Sequence, residues 1–316
     1  MPREAGRGRA LRPFLRRPCA ARTLRMQNPG PDLAPLVAAV HALRPDLAGA
    51  EVKPLLAGWD SVAVEVAGRV IFKFPRHAEA AQRLRREAAV LRLIRPRLTL
   101  AVPDMRLHEA PMLCSEHEKL PGDHLDAAGY AALSEPAHAR LAADMARLFA
   151  ELHALDPAVL RGAGAGPVDP WRDTTAIRAR ALPLLSEPLR ARAERVLADF
   201  ARLPPDPCGE VWGYFDGHGW NMAFDHGCGR LNGVYDFADA GFGPLHREFV
   251  PPGLVSADLA ARVVADYARL TGRAVDVRRA ALLGGCHRLS ELADCADDPA
   301  LVPMLTGFFA DWAAEA

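Results

Sequence analysis

Asp216, Asn221 and Asp236 are two carboxylates and an amide in an order that could serve phosphoryl transfer. That reaction needs a carboxylate to orient a hydroxyl nucleophile and take its proton, and an Asn and an Asp to hold Mg²⁺ against nucleotide phosphates. Asp216 opens the run Asp-Gly-His-Gly-Trp-Asn, which Asn221 closes. Beyond a turn-rich interval, Asp236 sits in Gly-Val-Tyr-Asp-Phe-Ala-Asp-Ala-Gly-Phe-Gly. A loop aspartate alone is read first as a turn cap. Three such residues in this order, with an upstream partner set, point to chemistry.

The elements that must position them can be read from pattern. Val211 and Trp212 lead into the first loop, Met222 to Phe224 form a short strand, 225–229 is a turn, and Leu231 to Phe237 return. Such a hairpin brings Asn221 and Asp236 to one end. Upstream, Val62, Val64 and Val66 alternate with Ser61, Ala63 and Glu65, Gly68-Arg69 turns the chain, and Val70 to Phe74 return with Lys73 among them. The turn at 57–61 precedes this hairpin, where backbone amides can cover phosphates, with Ser61 the expected contact. It lacks the Gly-x-Gly-x-x-Gly pattern. Ala78 to Ile94 reads as a helix stopped by Pro96, with Leu84, Ala88 and Leu91 on its inner stripe. Glu87 falls on that stripe. A buried carboxylate needs a partner, and Lys73 is the available one.

Asp-x-His-x-x-Asn at 216–221, followed by Val-Tyr-Asp-Phe-Ala-Asp-Ala-Gly at 234–241, resembles the aminoglycoside phosphotransferase family of small-molecule kinases, which share a protein-kinase-like two-lobed fold. The resemblance runs from about Asp46 to the C-terminus. It implies Asp216 as catalytic base, Asn221 and Asp236 as Mg²⁺ ligands, and Lys73, held by Glu87, as the lysine that reaches the α/β-phosphates. In that frame 112–119 is a strand leading into Leu120-Pro121-Gly122, and backbone groups from Glu116 to Glu118 would bind the base of ATP or GTP. One departure stands out. The family usually places His-Gly before the catalytic Asp, and here Tyr214-Phe215 take that place, which alters the packing of the catalytic loop.

Bulk properties bound the rest. With 316 residues, 50% hydrophobic content and a formal net charge of zero, the chain can fill two modest lobes and carries no signature of a nucleic-acid binder. No apolar run approaches the ~18 residues of a membrane span. The cysteines at 19, 114, 208, 228, 286 and 295 form no Cys-x-x-Cys pair, which fits free thiols in a reducing cytoplasm. Residues 1–26 are rich in Arg, with Glu4 the one acid, and read as a disordered tail or an upstream translation start.

From Ser134 onward the pattern is mostly helical. His138 to Leu155 is amphipathic, its His153 a structural hydrogen-bonder, and Ser186, Ser256 and Asp276 are expected N-caps. Glu248, Glu291 and Asp294, with Asp297 and Asp298, form an acidic set that would suit a polycationic acceptor. Asp298-Pro299 also fits a helix start, and the others a solvated face.

The expected architecture is α+β: a small antiparallel-sheet lobe with one helix over 27–119, and a larger, mainly helical lobe over 120–316. The expected activity is Mg²⁺-dependent transfer of a nucleoside triphosphate's γ-phosphate to a small-molecule hydroxyl, with an aminoglycoside as leading acceptor. A kinase for a macrolide, choline-like compound or sugar is the alternative, and a nucleotide-binding pseudoenzyme the rival class. The oligomeric state and the choice between ATP and GTP stay open.

Overall fold

A strand that alternates Val with polar or small residues has one face to bury, and the computed structural model, which describes residues 32–55 and 60–315, buries it against a helix. The order is α1 (Ala34–Leu43), β1 (Val52–Leu55), β2 (Ser61–Val66), β3 (Val70–Pro75), α2 (Ala78–Ile94), β4 (Arg106–His108) and β5 (Cys114–Glu118). These strands form one sheet in the order β1-β2-β3-β5-β4, antiparallel throughout. Val62, Val64, Val66, Phe72 and Cys114 meet Leu36 and Val40 of α1 on one face. The opposite face therefore carries Ala63, Glu65, Lys73 and His117. Helix α1 is an addition to the single helix expected beside this sheet. The expected tail and most of the expected phosphate turn lie outside the described residues.

Helix α2 spans the expected residues, and its stripe of Leu84, Ala88, Leu91 and Ile94 joins the large core that contains Met145, Phe149 and Phe237. It therefore stands between the sheet and the helical part. That part begins with α3 (Ala127–Ala131), α4 (Glu135–His153), α5 (Pro157–Gly162), α6 (Thr174–Arg180) and α7 (Glu187–Arg202). Four short strands follow: β6 (Glu210–Gly213), β7 (Met222–Asp225), β8 (Arg230–Val234) and β9 (Gly241–Pro244). β6 pairs with β9 and β7 with β8, both antiparallel. The chain ends in α8 (Pro252–Val255), α9 (Ala257–Thr271), α10 (Val277–Asp294) and α11 (Val302–Glu315).

A second core joins α6, α7, α10 and α11 through Ile177, Leu197, Leu289 and Phe309. Ser256 and Asp276 cap α9 and α10 by accepting from the amides of Asp258 and Arg278, whereas Ser186 occupies its N-cap position without a side-chain bond. Asp206, Cys208 and His246 converge, but His246 bonds Asp206 through Nδ1 at 2.9 Å and accepts from the Asp276 amide through Nε2 at 3.0 Å. With both ring nitrogens engaged, the trio braces the start of α10. The described cysteines are free thiols, and among the described residues no helix is long and apolar enough to cross a membrane.

Candidate active site

Between the polar face of the sheet and the helical part lies a cleft of about 540 Å³, lined by residues of both. Lys73 enters it from β3, opposite Ala63 of β2 and Ser115 of β5. Its Nζ lies 3.4 Å from Glu87 Oε1 and 3.2 Å from Asp236 Oδ1. Glu87 is 3% exposed, and its Oε1 also accepts the Phe237 amide at 3.0 Å. Burial works against the Lys73 ammonium, but Asp236 and Glu87 outweigh it and raise its pKa, so the cation persists at physiological pH. Burial pushes Glu87 upward, opposed by Lys73 and the Phe237 amide. The partner that the helix stripe demanded is thus present.

The catalytic-loop candidates follow β6. Asp216 is buried, and Asn221 Nδ2 donates to its Oδ2 at 2.6 Å and to its carbonyl at 3.0 Å. His218 Nε2 lies 3.2 Å from Asp216 Oδ1. The amide nitrogen of Asn221 faces Asp216, so its Oδ1 is the atom that could hold a metal. Asp236, near the end of the β7–β8 hairpin, supplies a carboxylate to the same cleft. Two hard oxygen donors beside one cleft, the Asn221 amide oxygen and the Asp236 carboxylate, are of the kind that suits Mg²⁺.

Two residues here adopt left-handed backbone: Phe215 at φ 56 and Asp236 at φ 66. Each costs about 1–3 kcal/mol and persists only where its surroundings hold it. Phe215 stands where the family pattern has glycine, the residue that takes this conformation without strain. Its amide donates to Glu248 Oε1 at 2.9 Å. Tyr214 stacks on Phe237 with ring centroids 4.4 Å apart, and its hydroxyl donates to the Tyr235 carbonyl. The departure from His-Gly therefore ties the Asp216 loop to the Asp236 segment.

Several expected site residues are placed elsewhere. Glu248 is fully buried beneath the Asp216 loop, 3.2 Å from His153 Nε2, and a Cβ at Gly213 would lie 1.7 Å from its Oε2. It supports the loop and is not presented to an acceptor. His153 completes the strut through Tyr267 at 2.8 Å, as a structural hydrogen-bonder. Asp294 is paired with Arg172, and Glu291 is buried 3.6 Å from His287. The acidic set is therefore not a free anionic face.

The contact expected of Glu116 was a backbone one, and its side chain points away from the cleft. Its side chain lies on the other face of β5, bonded to Arg44 and to His108 at 2.8 Å, and its backbone pairs between Phe72 and Arg106. The Glu118 side chain lies 3.6 Å from Arg69, and its carbonyl accepts from His117 Nδ1 at 2.9 Å. Ser61 lines the cleft.

Lys53, Glu65 and Lys119 also line the cleft and were not expected there, and His117, expected only as part of the 116–118 backbone, adds its side chain. A signal existed. Lys53, Lys73 and Lys119 are the only lysines of an arginine-rich chain, and all three line this cleft.

A family model described as "Phosphotransferase enzyme family" matches residues 51–283. A search of curated protein sequences gives no match. Among solved structures, the GDP complex of wild-type aminoglycoside 2'-phosphotransferase-IIIa is 20% identical with a TM-score of 0.77, covering 90% of this chain and 99% of that one. The streptomycin–ATP complex of APH(2")-IIa is 18% identical with a TM-score of 0.61, covering 88% and 96%. A macrolide 2'-phosphotransferase from Brachybacterium faecium, solved as the apoenzyme, is 19% identical with a TM-score of 0.59, covering 85% and 98%. The two-lobed fold is common to all of them.

The placement of Glu248 has a measurable consequence. Glu248→Ala leaves the Phe215 amide and His153 without their buried acceptor and is expected to lower unfolding free energy by about 3–5 kcal/mol in denaturant titrations. A loss below about 1 kcal/mol, the scale of an exposed pair, would contradict the supporting role.

Proposed function

The chain belongs to the phosphotransferase enzyme family, and from that premise we propose that it transfers the γ-phosphate of a nucleoside triphosphate to a hydroxyl of an aminoglycoside-type small molecule. The observation that carries this reading is the convergence of Lys73, Glu87 and Asp236 in one cleft with Asn221, which in turn holds Asp216. In this proposal residues 27–119 form the nucleotide-binding lobe and 120–316 the catalytic and acceptor lobe.

Lys73 places its ammonium on the α/β-phosphates, with Glu87 fixing its position, and Ser61 contacts the phosphates from the start of β2. Asn221 Oδ1 and the Asp236 carboxylate hold Mg²⁺, which when bound supplies positive charge to the phosphate oxygens. Asp216 orients the acceptor hydroxyl and takes its proton as the oxygen attacks. His218 and Asn221 hold that carboxylate from two sides, which limits its rotation.

The aminoglycoside acceptor is supported by the fold shared with enzymes solved alongside GDP or with streptomycin and ATP. Likeness to a macrolide 2'-phosphotransferase supports a macrolide as the second reading. Phosphorus NMR of the protein with Mg²⁺, ATP or GTP, and a panel of both antibiotic classes tests it. A new phosphate monoester on an aminoglycoside is expected. Free phosphate alone, or no change with any acceptor, would overturn the proposal.

Two substitutions separate the roles. Asp216→Asn is expected to lower kcat by about 10²–10⁴-fold with nucleotide affinity retained, and a normal kcat would remove the base assignment. Asp236→Ala is expected to weaken Mg²⁺–nucleotide binding as well as turnover, seen in calorimetric titration. Unchanged Mg²⁺ dependence would count against that ligand.

A further inference from the structure

The register of the sheet sorts the cleft-facing side chains into two rows. Leu55, Ala63, Lys73 and Ser115 are cross-strand neighbours in one row, and Lys53, Glu65, Ile71 and His117 in the other. The proposed function puts phosphates at Lys73, so the second row, two residues along each strand, faces the nucleobase. A base slot that only stacks would be apolar there. This row instead carries charge and a fixed imidazole, and Lys119 closes on Glu65 Oε2 at 2.7 Å.

Each of these groups has a defined hydrogen-bonding sense. The Glu65 side chain is only 12% exposed, so its carboxylate needs donors, and Lys119 engages one of its two oxygens. The Glu118 carbonyl can only accept, so the proton on His117 lies at Nδ1. Burial pushes the His117 pKa down to about 4, which keeps the ring neutral and makes Nε2 an acceptor. The Glu118 carbonyl accepts from that same ring and keeps a second lone pair.

The base end of the cleft thus offers two acceptors, the Glu65 carboxylate and His117 Nε2, and two ammonium donors, Lys119, which is bonded to Glu65, and Lys53, which is paired across from Glu65 on β1. The pairing edge of guanine presents the complement: O6 as acceptor, with N1–H and the 2-amino group as donors. Adenine presents its 6-amino group as donor and N1 as acceptor. A carboxylate can accept two parallel N–H groups, as it does from an arginine fork, and only guanine offers such a pair. We propose that Glu65, His117 and Lys119 form a nucleobase-recognition site that selects a guanine over an adenine nucleotide. The inference rests on the nucleotide reading of the cleft.

Calorimetric titration of the intact protein with GDP, inosine diphosphate and ADP, each with Mg²⁺, tests it without any acceptor. GDP is expected to bind at least about tenfold tighter than ADP, because a site built to hydrogen-bond a group rejects an analogue lacking it. Inosine diphosphate, which lacks only the 2-amino group, is expected to bind more weakly than GDP. Glu65→Gln replaces one acceptor oxygen with a donor and is expected to weaken GDP by about 5–150-fold, the range of one bidentate pair, with ADP changed far less. Circular dichroism verifies that the variant folds, and the three-nucleotide series on the unaltered protein decides the matter without it. ADP binding as tightly as GDP, equal binding of GDP and inosine diphosphate, or an equal loss of GDP and ADP in Glu65→Gln would overturn the base assignment alone. If none of the three binds, the nucleotide reading falls as well.

Discussion

One buried carboxylate organises this molecule. Glu87 sits on the inner stripe of α2, where an uncompensated charge would cost several kcal/mol, and it is stable there because two donors meet the same oxygen. One donor is the Lys73 ammonium on the sheet, and the other is the amide of Phe237, next to Asp236 in the helical part. The desolvation of Glu87 therefore ties three separate stretches of chain together at one point. That point is the end of the cleft where the lysine and Asp236 meet. Removing the carboxylate would leave a buried cation facing a second acid, with the loop that carries that acid no longer held.

Around this tie, strain and support are matched. Phe215 and Asp236 both take left-handed backbone, the first held by Glu248 and the second paired with Lys73. Glu248 accepts from the amide of Phe215, and Tyr214 links the same loop to the carbonyl preceding Asp236. Gly213 has no Cβ, which leaves room for the Glu248 carboxylate. A loop fixed this way presents Asp216 in one orientation, and phosphoryl transfer depends mainly on such positioning and on fixed charge.

The parts legible in the sequence are those where burial and periodicity gave a single answer. Val62, Val64 and Val66 required a one-faced strand, and Glu87 on an apolar stripe required a cation, which pointed to Lys73. The hairpin turn at 225–229 brought Asn221 and Asp236 together as read. Other features depend on which side of an element a residue falls. Glu116 is one residue from His117, yet strand parity puts it on the far face with Arg44 and His108. Glu248 resembled a surface acid because its partners, His153 and the Phe215 amide, come from 95 and 33 residues away. Helix α1 offered only the short stripe of Leu36, Ala39 and Val40. The Glu65–His117 row became visible only once the register was known.

The central claim is that Glu87 acts on the nucleotide through Lys73 and not merely as a core residue. A double-mutant cycle with Lys73→Met and Glu87→Gln, read as Mg²⁺–nucleotide affinity, tests this most directly. The account predicts strong non-additivity, with the double variant binding about as weakly as Lys73→Met alone. Independent, additive losses would contradict it.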